Sequence, residues 1–99
     1  MLIIVGTFRL PPENLASARS SMRTMVELSR REAGCLQYDY AEDVFDPGLI
    51  HVTERWADRQ ALEAHFASEH IRTWRNSWSN HAIGDRNLVL FETGDPEPV

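Results

Sequence analysis

The sequence has no lysine and only one cysteine, Cys35, among its 99 residues. Without a lysine amine, the chain can neither form a Schiff base with a substrate nor hold pyridoxal phosphate covalently. One cysteine cannot make an intramolecular disulfide or a cysteine-rich metal site, so we take Cys35 as a small strand residue. These absences exclude several classes of enzyme before any motif is considered.

Long apolar runs and basic clusters are also missing. The opening run MLIIVGTF is too short to cross a membrane and lacks the charged region of a signal peptide. The net charge is −5 and no block of basic residues occurs, so the electrostatic pattern of nucleic-acid binding is absent. We therefore expect a cytoplasmic protein that binds neither nucleic acid nor a membrane.

The composition is that of one globular domain. Hydrophobic residues make up 42% of the chain and charged residues 25%, which is ordinary for a folded protein of this size. Only the polar ending TGDPEPV departs from this composition. We expect a single domain over residues 1–99, in which 94–99 form a flexible tail.

Hydrophobic periodicity and turn residues predict elements in the order β-α-β-β-α-β. Asp58 and Ser68 are typical helix N-cap residues, and they divide the second helical region in two. The predicted strands cover residues 2–10, 35–44, 49–56 and 86–92, and the predicted helices cover 13–32, 59–67 and 69 to about 83.

This order is the split pattern of the ferredoxin-like fold, an α+β fold whose four-stranded antiparallel sheet has its helices on one face. The first strand, LIIVGTFRL, is apolar on both faces, so its uncovered side needs a partner. The simplest partner is a second copy of the same sheet. We therefore expect a homodimer that forms through the sheet face.

The stretch TERWADRQALEAHFASEH, residues 53–70, concentrates side chains that can do chemistry. His65 and His70 are separated by about 140° around a continuous helix of 3.6 residues per turn, so they would point apart. A helix break at Ser68 would let both face one pocket. Because no cysteine and no neighbouring carboxylate is in register with them, we expect no metal at this position.

Glu54 is predicted on the strand face that turns towards the helices. A carboxylate rarely lies buried without a partner. A salt bridge to Arg72 or Arg75, or a hydrogen bond from a tyrosine, would satisfy it structurally. The functional alternative is a carboxylate that tunes His65 or His70 as a general base.

A stripe of aromatic and histidine side chains follows along the last predicted helix. His70, Trp74, Trp78 and His81 are spaced by four, four and three residues. Most such stripes are core, but tryptophan beside histidine is also how a flat aromatic ligand is held. His81, near the helix end, simply favours the helix C-terminus.

Residues 32–70, EAGCLQYDYAEDVFDPGLIHVTERWADRQALEAHFASEH, resemble the antibiotic biosynthesis monooxygenase (ABM) family. The flanking segments fit that family in pattern rather than in motif. The matching features are Gly34-Cys35-Leu36, Tyr38, Asp46-Pro47, Glu54, Trp56, His65 and His70.

The resemblance implies a dimer in which two sheets close into an α+β barrel. It also implies oxidation of quinols or hydroxylated aromatic polyketides with dioxygen and without flavin, haem or metal. Ground-state dioxygen is a triplet, so the substrate has to supply an electron, and a phenolate does so better than a phenol. A base, a group that stabilises the oxyanion and dry aromatic walls meet that demand. We therefore expect a small aromatic substrate and dioxygen as partners, and no cofactor.

On this resemblance, His65 or His70 is the expected base, with Glu54 orienting it. Tyr38, Trp56 and Trp74 are expected to wall the substrate ring, and a tyrosine hydroxyl to hold an oxygen.

Other activities occur in relatives of the same fold. A haem-degrading branch typically places an asparagine on the first strand, where LIIVGTFRL has none. Another branch isomerises small sugar-like or lactone substrates, and a histidine–glutamate pair could move protons there without oxygen. A dimer that binds a small ligand without catalysis is the remaining alternative.

Overall fold

The computed structural model describes all residues, 1–99, and shows the predicted β-α-β-β-α-β order. A short 3₁₀ turn at Pro12–Asn14 precedes the first helix. The strands are β1 (Leu2–Arg9), β2 (Cys35–Glu42), β3 (Leu49–Trp56) and β4 (Gly84–Glu92). The helices are α1 (Leu15–Arg30), α2 (Arg59–Phe66), α3 (Glu69–Asn76) and α4 (Trp78–His81).

The four strands form one antiparallel sheet in the order β2-β3-β1-β4. Ile4 pairs with Glu54 on one side and with Leu90 on the other, while Tyr38 pairs with Glu54 from β2. Residues opposite one another in an antiparallel sheet point to the same face. The predicted α+β ferredoxin-like fold is therefore confirmed, and its register places Glu54 in the centre of the helix-covered face.

The core lies between the sheet and the helices, on one face of the sheet only. Alternate residues of the strands are buried there, as a period of two requires. Its members are Leu2, Ile4, Phe8, Leu10, Leu15, Ala18, Met22, Met25, Tyr38, Ile50, Val52, Trp56, Leu62, Ile71 and Trp74.

The opposite face of the sheet has no covering layer. Ile3 and Val5 of β1 pair with Phe91 and Val89 of β4, and we call these four residues the open face. Val89 is 55% exposed and Phe91 54% exposed. Strand β1 is thus apolar on both sides, as predicted, and the homodimer through this face stays a prediction.

Two side-chain caps divide the helical region after β3. Asp58 accepts a hydrogen bond from the Ala61 N–H at 2.8 Å and begins α2, and Ser68 accepts one from the Ile71 N–H at 3.4 Å and begins α3. The predicted break at Ser68 is confirmed. Helix α3 ends at Asn76, whereas the predicted helix ran to about residue 83. Ser77 donates to the Trp74 carbonyl at 2.6 Å, and α4 follows as a separate short helix.

Gly34 controls how closely the end of α1 approaches α2. Its φ is +82°, in the left-handed region that glycine adopts without strain. A Cβ added there would lie 2.5 Å from the Ala61 Cβ, so no larger residue fits. This close approach holds the segment with Glu32 against α2.

None of the four helices has the length and apolar content that a membrane span requires. Residues 93–99 belong to no helix or strand.

Candidate active site

A cavity of about 220 Å³ lies between the helix-covered face of the sheet and the helices. Four polar side chains line it, namely Glu54, His65, Arg75 and Arg86. The rest of the wall is hydrophobic or aromatic and includes Ile4, Phe8, Tyr38, Tyr40, Val52, Ile71, Trp74 and Trp78. A mostly apolar space with a few convergent polar groups is the usual form of a small-molecule site.

Glu54 is the buried carboxyl of this cavity. It is 6% exposed, and its Oε1 accepts a hydrogen bond of 3.0 Å from Nε1 of Trp56. Burial raises the pKa of Glu54 to about 7, and the Trp56 hydrogen bond and the charge of Arg86 offset only part of that rise. Neither of the structural partners we expected, an arginine salt bridge or a tyrosine hydroxyl, satisfies it. At neutral pH this carboxyl therefore exchanges a proton readily.

His65 is 1% exposed and lies against two aromatic rings. Its ring centroid is 4.6 Å from that of Trp56 and 5.4 Å from that of Tyr38. Its Nδ1 lies 2.9 Å from Oε1 of Glu32. Burial lowers the pKa of His65 although the neighbouring Glu32 opposes that change. Because Glu32 engages Nδ1, the other nitrogen, Nε2, is the one left for a ligand in the cavity.

His70 shares the same carboxylate. Its Nε2 contacts Oε1 of Glu32 and has no well-aligned hydrogen bond, and its ring centroid is 5.8 Å from that of His65. From the sequence we expected no carboxylate in register with the two histidines as a metal ligand. We also expected Glu54 to be the group that orients them. The structure instead pairs both histidines with Glu32, which lies far upstream in the sequence.

One group of potential metal-ligand atoms converges in the structure, within 4.8 Å of one another. It belongs to Glu32, His65 and His70. Two histidines and a carboxylate are a common ligand set for zinc, whose bonds to nitrogen and oxygen are about 2.0–2.2 Å. Ligands of one tetrahedral ion then stand more than about 3 Å apart. The Glu32 oxygen already touches both imidazoles, at 2.9 Å from His65 and closer still from His70. As placed, the Glu32 oxygen lies in direct contact with both imidazoles, and of the two contacts the one with His65 has hydrogen-bond geometry.

Four of the six predicted site residues line the cavity, namely Tyr38, Glu54, His65 and Trp74. The other two do not. Trp56 is fully buried behind the wall, where it supports Glu54 and His65 rather than facing a substrate. His70 lies on the far side of Glu32, in a groove between α1 and α3.

Several lining residues were not expected from the sequence. Tyr40 pairs with Tyr38 through their hydroxyls at 3.0 Å. Burial raises the pKa of Tyr40 to about 12 and that of Tyr38 further, so both hydroxyls stay protonated at neutral pH. Arg86 lies over the ring of Trp78, 4.4 Å from its centroid. Tyr40 follows Tyr38 at the strand period of two, which was the available indication that it faces the same side.

Comparison with known proteins places this site in a family. The family model described as antibiotic biosynthesis monooxygenase matches residues 1–77. The Mycobacterium tuberculosis protein named "Putative monooxygenase Rv0793" is 31% identical over 72 residues, which cover 73% of this chain and 70% of that protein. The Synechocystis protein sll1783 is 28% identical over 70 residues, and these span 71% of this chain and about half, 48%, of that relative.

Solved structures give the same result over nearly the whole chain. A Deinococcus radiodurans crystal structure, described as a putative antibiotic biosynthesis monooxygenase, has a TM-score of 0.90 at 26% identity and covers 100% of this chain and 98% of that one. PA3566 from Pseudomonas aeruginosa has a TM-score of 0.75 at 33% identity and covers 97% of this chain and 94% of that one. With its sequence match and its fold in agreement, the chain belongs to the antibiotic biosynthesis monooxygenase family.

Proposed function

We propose that this chain is a monooxygenase that oxidises a quinol or another hydroxylated aromatic compound with dioxygen, using neither a metal nor an organic cofactor. One observation carries the proposal. Glu54, whose pKa burial raises to about 7, lies in an aromatic-walled cavity together with His65. The monooxygenase names of relatives in the same family support the proposal.

Proton removal is the step that the cavity serves first. A phenolate or quinol anion gives up an electron to dioxygen far more readily than the neutral compound does. A base works best when its pKa lies near the working pH, which is the condition that Glu54 meets. Nε2 of His65 is a second acceptor, since Glu32 holds the ring through Nδ1.

Positive groups and hydroxyls of the cavity stabilise the anions that follow. Arg75 and Arg86 line the same space and carry permanent charge. The protonated hydroxyl of Tyr40 can donate a hydrogen bond to a substrate oxygen. Donors that are fixed before the reaction, in a site with little water, stabilise developing negative charge strongly.

The overall reaction balances without an outside reductant. For a naphthol, one oxygen atom of dioxygen becomes the new ring carbonyl, and the other leaves as water. The two hydrogens of that water equal in number those lost from the ring C–H and the hydroxyl, and any proton released to solvent during the reaction is taken back from solvent when the water forms. The substrate loses four electrons and dioxygen gains four.

The volume of the cavity limits the substrate. Clefts for drug-sized ligands usually enclose about 300–1,000 Å³, whereas this cavity encloses about 220 Å³. Its aromatic walls, which include Phe8, Tyr40 and Trp74, favour a flat ligand. We therefore expect a substrate of one or two rings.

The presence of Glu54 and His65 in one cavity also favours a second candidate, an isomerase. One group would remove a proton and the other would return it at a different position, with no consumption of oxygen. The same apolar walls would hold the substrate in either case.

A measurement of oxygen uptake distinguishes the monooxygenase from the isomerase. Protein treated with a chelator is mixed with a panel of hydroquinones and naphthols, and oxygen consumption is compared with autoxidation and with heat-killed protein. The proposal expects uptake that scales with protein and falls at least about 100-fold in Glu54→Gln, since a positioned base contributes roughly 10²–10⁴-fold. His51→Gln is the control, because His51 pairs with Asp43 away from the cavity. Absence of uptake over the whole panel would contradict the proposal and favour the isomerase or a ligand-binding protein.

A further inference from the structure

The triad of Glu32, His65 and His70 joins two separate spaces in the molecule. His65 lines the aromatic cavity, and His70 lines a groove of about 480 Å³ between α1 and α3. Glu32 touches both rings through one oxygen. A continuous chain of proton-carrying groups thus runs from one space to the other.

The groove differs from the cavity in its chemistry. Hydroxyl groups line it on both sides, contributed by Ser20, Ser21, Thr24, Thr73 and Ser77. Such a lining favours water, whereas the walls of the cavity are mostly hydrophobic. A proton that reaches His70 can therefore pass to water in this hydroxyl-lined groove, away from the apolar walls that surround the substrate.

We infer that Glu32 and His70 form a proton relay that carries the proton taken from the substrate by His65 to water in the groove between α1 and α3. The inference rests on the proposed function, since that function supplies the proton. His65 is the member that meets the substrate, and Glu32 and His70 act through it.

Each step moves one proton from one group to the next, and the net charge of the triad at the end equals its net charge at the start. After Glu54 has taken the first proton of the substrate, the second passes to Nε2 of His65, whose Nδ1 proton passes to Oε1 of Glu32. Glu32 gives a proton to Nε2 of His70, and His70 releases one to water in the groove. Rotation of the two imidazole rings then returns their protons to the nitrogens' starting positions.

The charges around the triad are few. On His65 they come from Glu32, His70 and Arg75, and the neighbouring Tyr38 keeps its proton. Glu54 accepts a hydrogen bond from Nε1 of Trp56 and makes none to the triad. Glu69 is the one other titratable group in the groove beside His70. No lysine or second carboxylate competes with Glu32 for the two imidazoles.

Turnover measurements test the relay directly. We expect His70→Ala and Glu32→Gln each to lower kcat at least about tenfold at low buffer concentration, with KM nearly unchanged, because substrate contacts stay intact. Imidazole added to His70→Ala should restore kcat in a saturable way, because the groove is open to a molecule of that size. His51→Ala, which alters a histidine–carboxylate pair outside the triad, is the matched control. Full kcat in His70→Ala at low buffer, or a loss that imidazole does not restore, would overturn the relay.

A second measurement does not need the oxygenase to be active. In protein with ¹⁵N-labelled histidine, the relay predicts a slowly exchanging Nδ1 proton on His65. It also predicts that His65→Gln changes the ring ¹⁵N shifts of His70. In protein that already carries Glu32→Gln, the same substitution should leave those shifts unchanged. His70 shifts that are indifferent to both changes would contradict the relay, whether or not oxygen is consumed. Lack of oxygen uptake with the expected shifts would instead count against the proposed function alone.

Discussion

Nδ1 of His65 lies 2.9 Å from Oε1 of Glu32, although 33 residues separate the two in the sequence. This contact joins the end of α1 to α2, and Gly34 allows it by letting the chain pass close to Ala61. A carboxylate on Nδ1 fixes the orientation and tautomer of an imidazole and leaves Nε2 free. Under the proposed function, this arrangement orients Nε2 of His65 to accept a proton from the substrate.

Replacing Glu32 with glutamine should destabilise the protein. The side chain keeps its size but loses the charge that two imidazoles share, and a hydrogen bond to a charged group contributes about 1.5–3 kcal/mol. We expect the free energy of unfolding, measured by urea denaturation at neutral pH, to fall by about 2 kcal/mol.

Glu63→Gln is the matched control, because Glu63 is an exposed glutamate on α2 with no side-chain partner. It should change the free energy of unfolding by less than about 0.5 kcal/mol. Equal stability of the two variants would show that the Glu32 contacts contribute nothing to the fold.

The buried carboxyl of Glu54 should make stability fall as the pH rises. Folding raises its pKa from 4.5 to about 7, so its contribution to stability is complete below pH 4.5 and is lost as the pH passes 7. Relative to Glu54→Gln, which does not titrate, the wild type should lose about 3 kcal/mol of unfolding free energy between pH 4.5 and pH 8.

Urea denaturation of both proteins across that range measures the difference. His65 titrates in both proteins, so its effect cancels in the comparison. A constant difference between wild type and variant would mean that Glu54 is ionised normally and is not the base we propose.

The sequence was enough to predict the order of the elements along the chain and the side of the sheet on which Glu54 lies. These features follow from local periodicity, with alternate residues of β3 buried from Ile50 to Trp56. The helix break at Ser68 could also be predicted from the local sequence, because the Ser68 side chain caps the start of α3.

The partners of the predicted site residues could not be obtained in this way. Glu32 meets His65 only because the turn at Gly34 brings two elements together, and no pattern within either segment records that contact. Trp56 and Glu54 lie on the same strand face, and the sequence did not show that one would bind the other instead of a substrate. The cavity depends on how α3 and α4 pack. The helix predicted from residue 69 extended beyond the observed end of α3 at Asn76.

Arg86 should tune the proton acceptor of the cavity. Its positive charge lowers the pKa of Glu54, so Arg86→Met should raise that pKa further. The base must be ionised to act, and the rising limb of kcat/KM against pH should therefore move to higher pH. At pH 7 we expect kcat/KM to fall about two- to fivefold.

Arg9→Met is the control for this experiment. Arg9 binds Asp46 at 2.9 Å and does not line the cavity. An unchanged pH profile in Arg86→Met, or the same displacement in both variants, would show that the arginine does not act on Glu54.

The open face should be the surface on which two chains meet. Its apolar side chains, with Val89 and Phe91 about half exposed, would be covered by the same face of a second copy. We expect sedimentation to give a dimer for the wild type and a monomer for Phe91→Arg. Phe45→Arg is the control, because Phe45 is 94% exposed in a loop outside this face. A wild type that sediments as a monomer at micromolar concentration would contradict the homodimer.

The most direct test of the account is incorporation of ¹⁸O₂ by chelator-treated protein, followed by mass spectrometry of the product formed from an active naphthol or hydroquinone. We predict one ¹⁸O atom per product molecule, at a rate proportional to protein and strongly reduced in Glu54→Gln. A product without the label, or labelled product that forms equally fast without the protein, would contradict a monooxygenase whose chemistry depends on the cavity of Glu54 and His65.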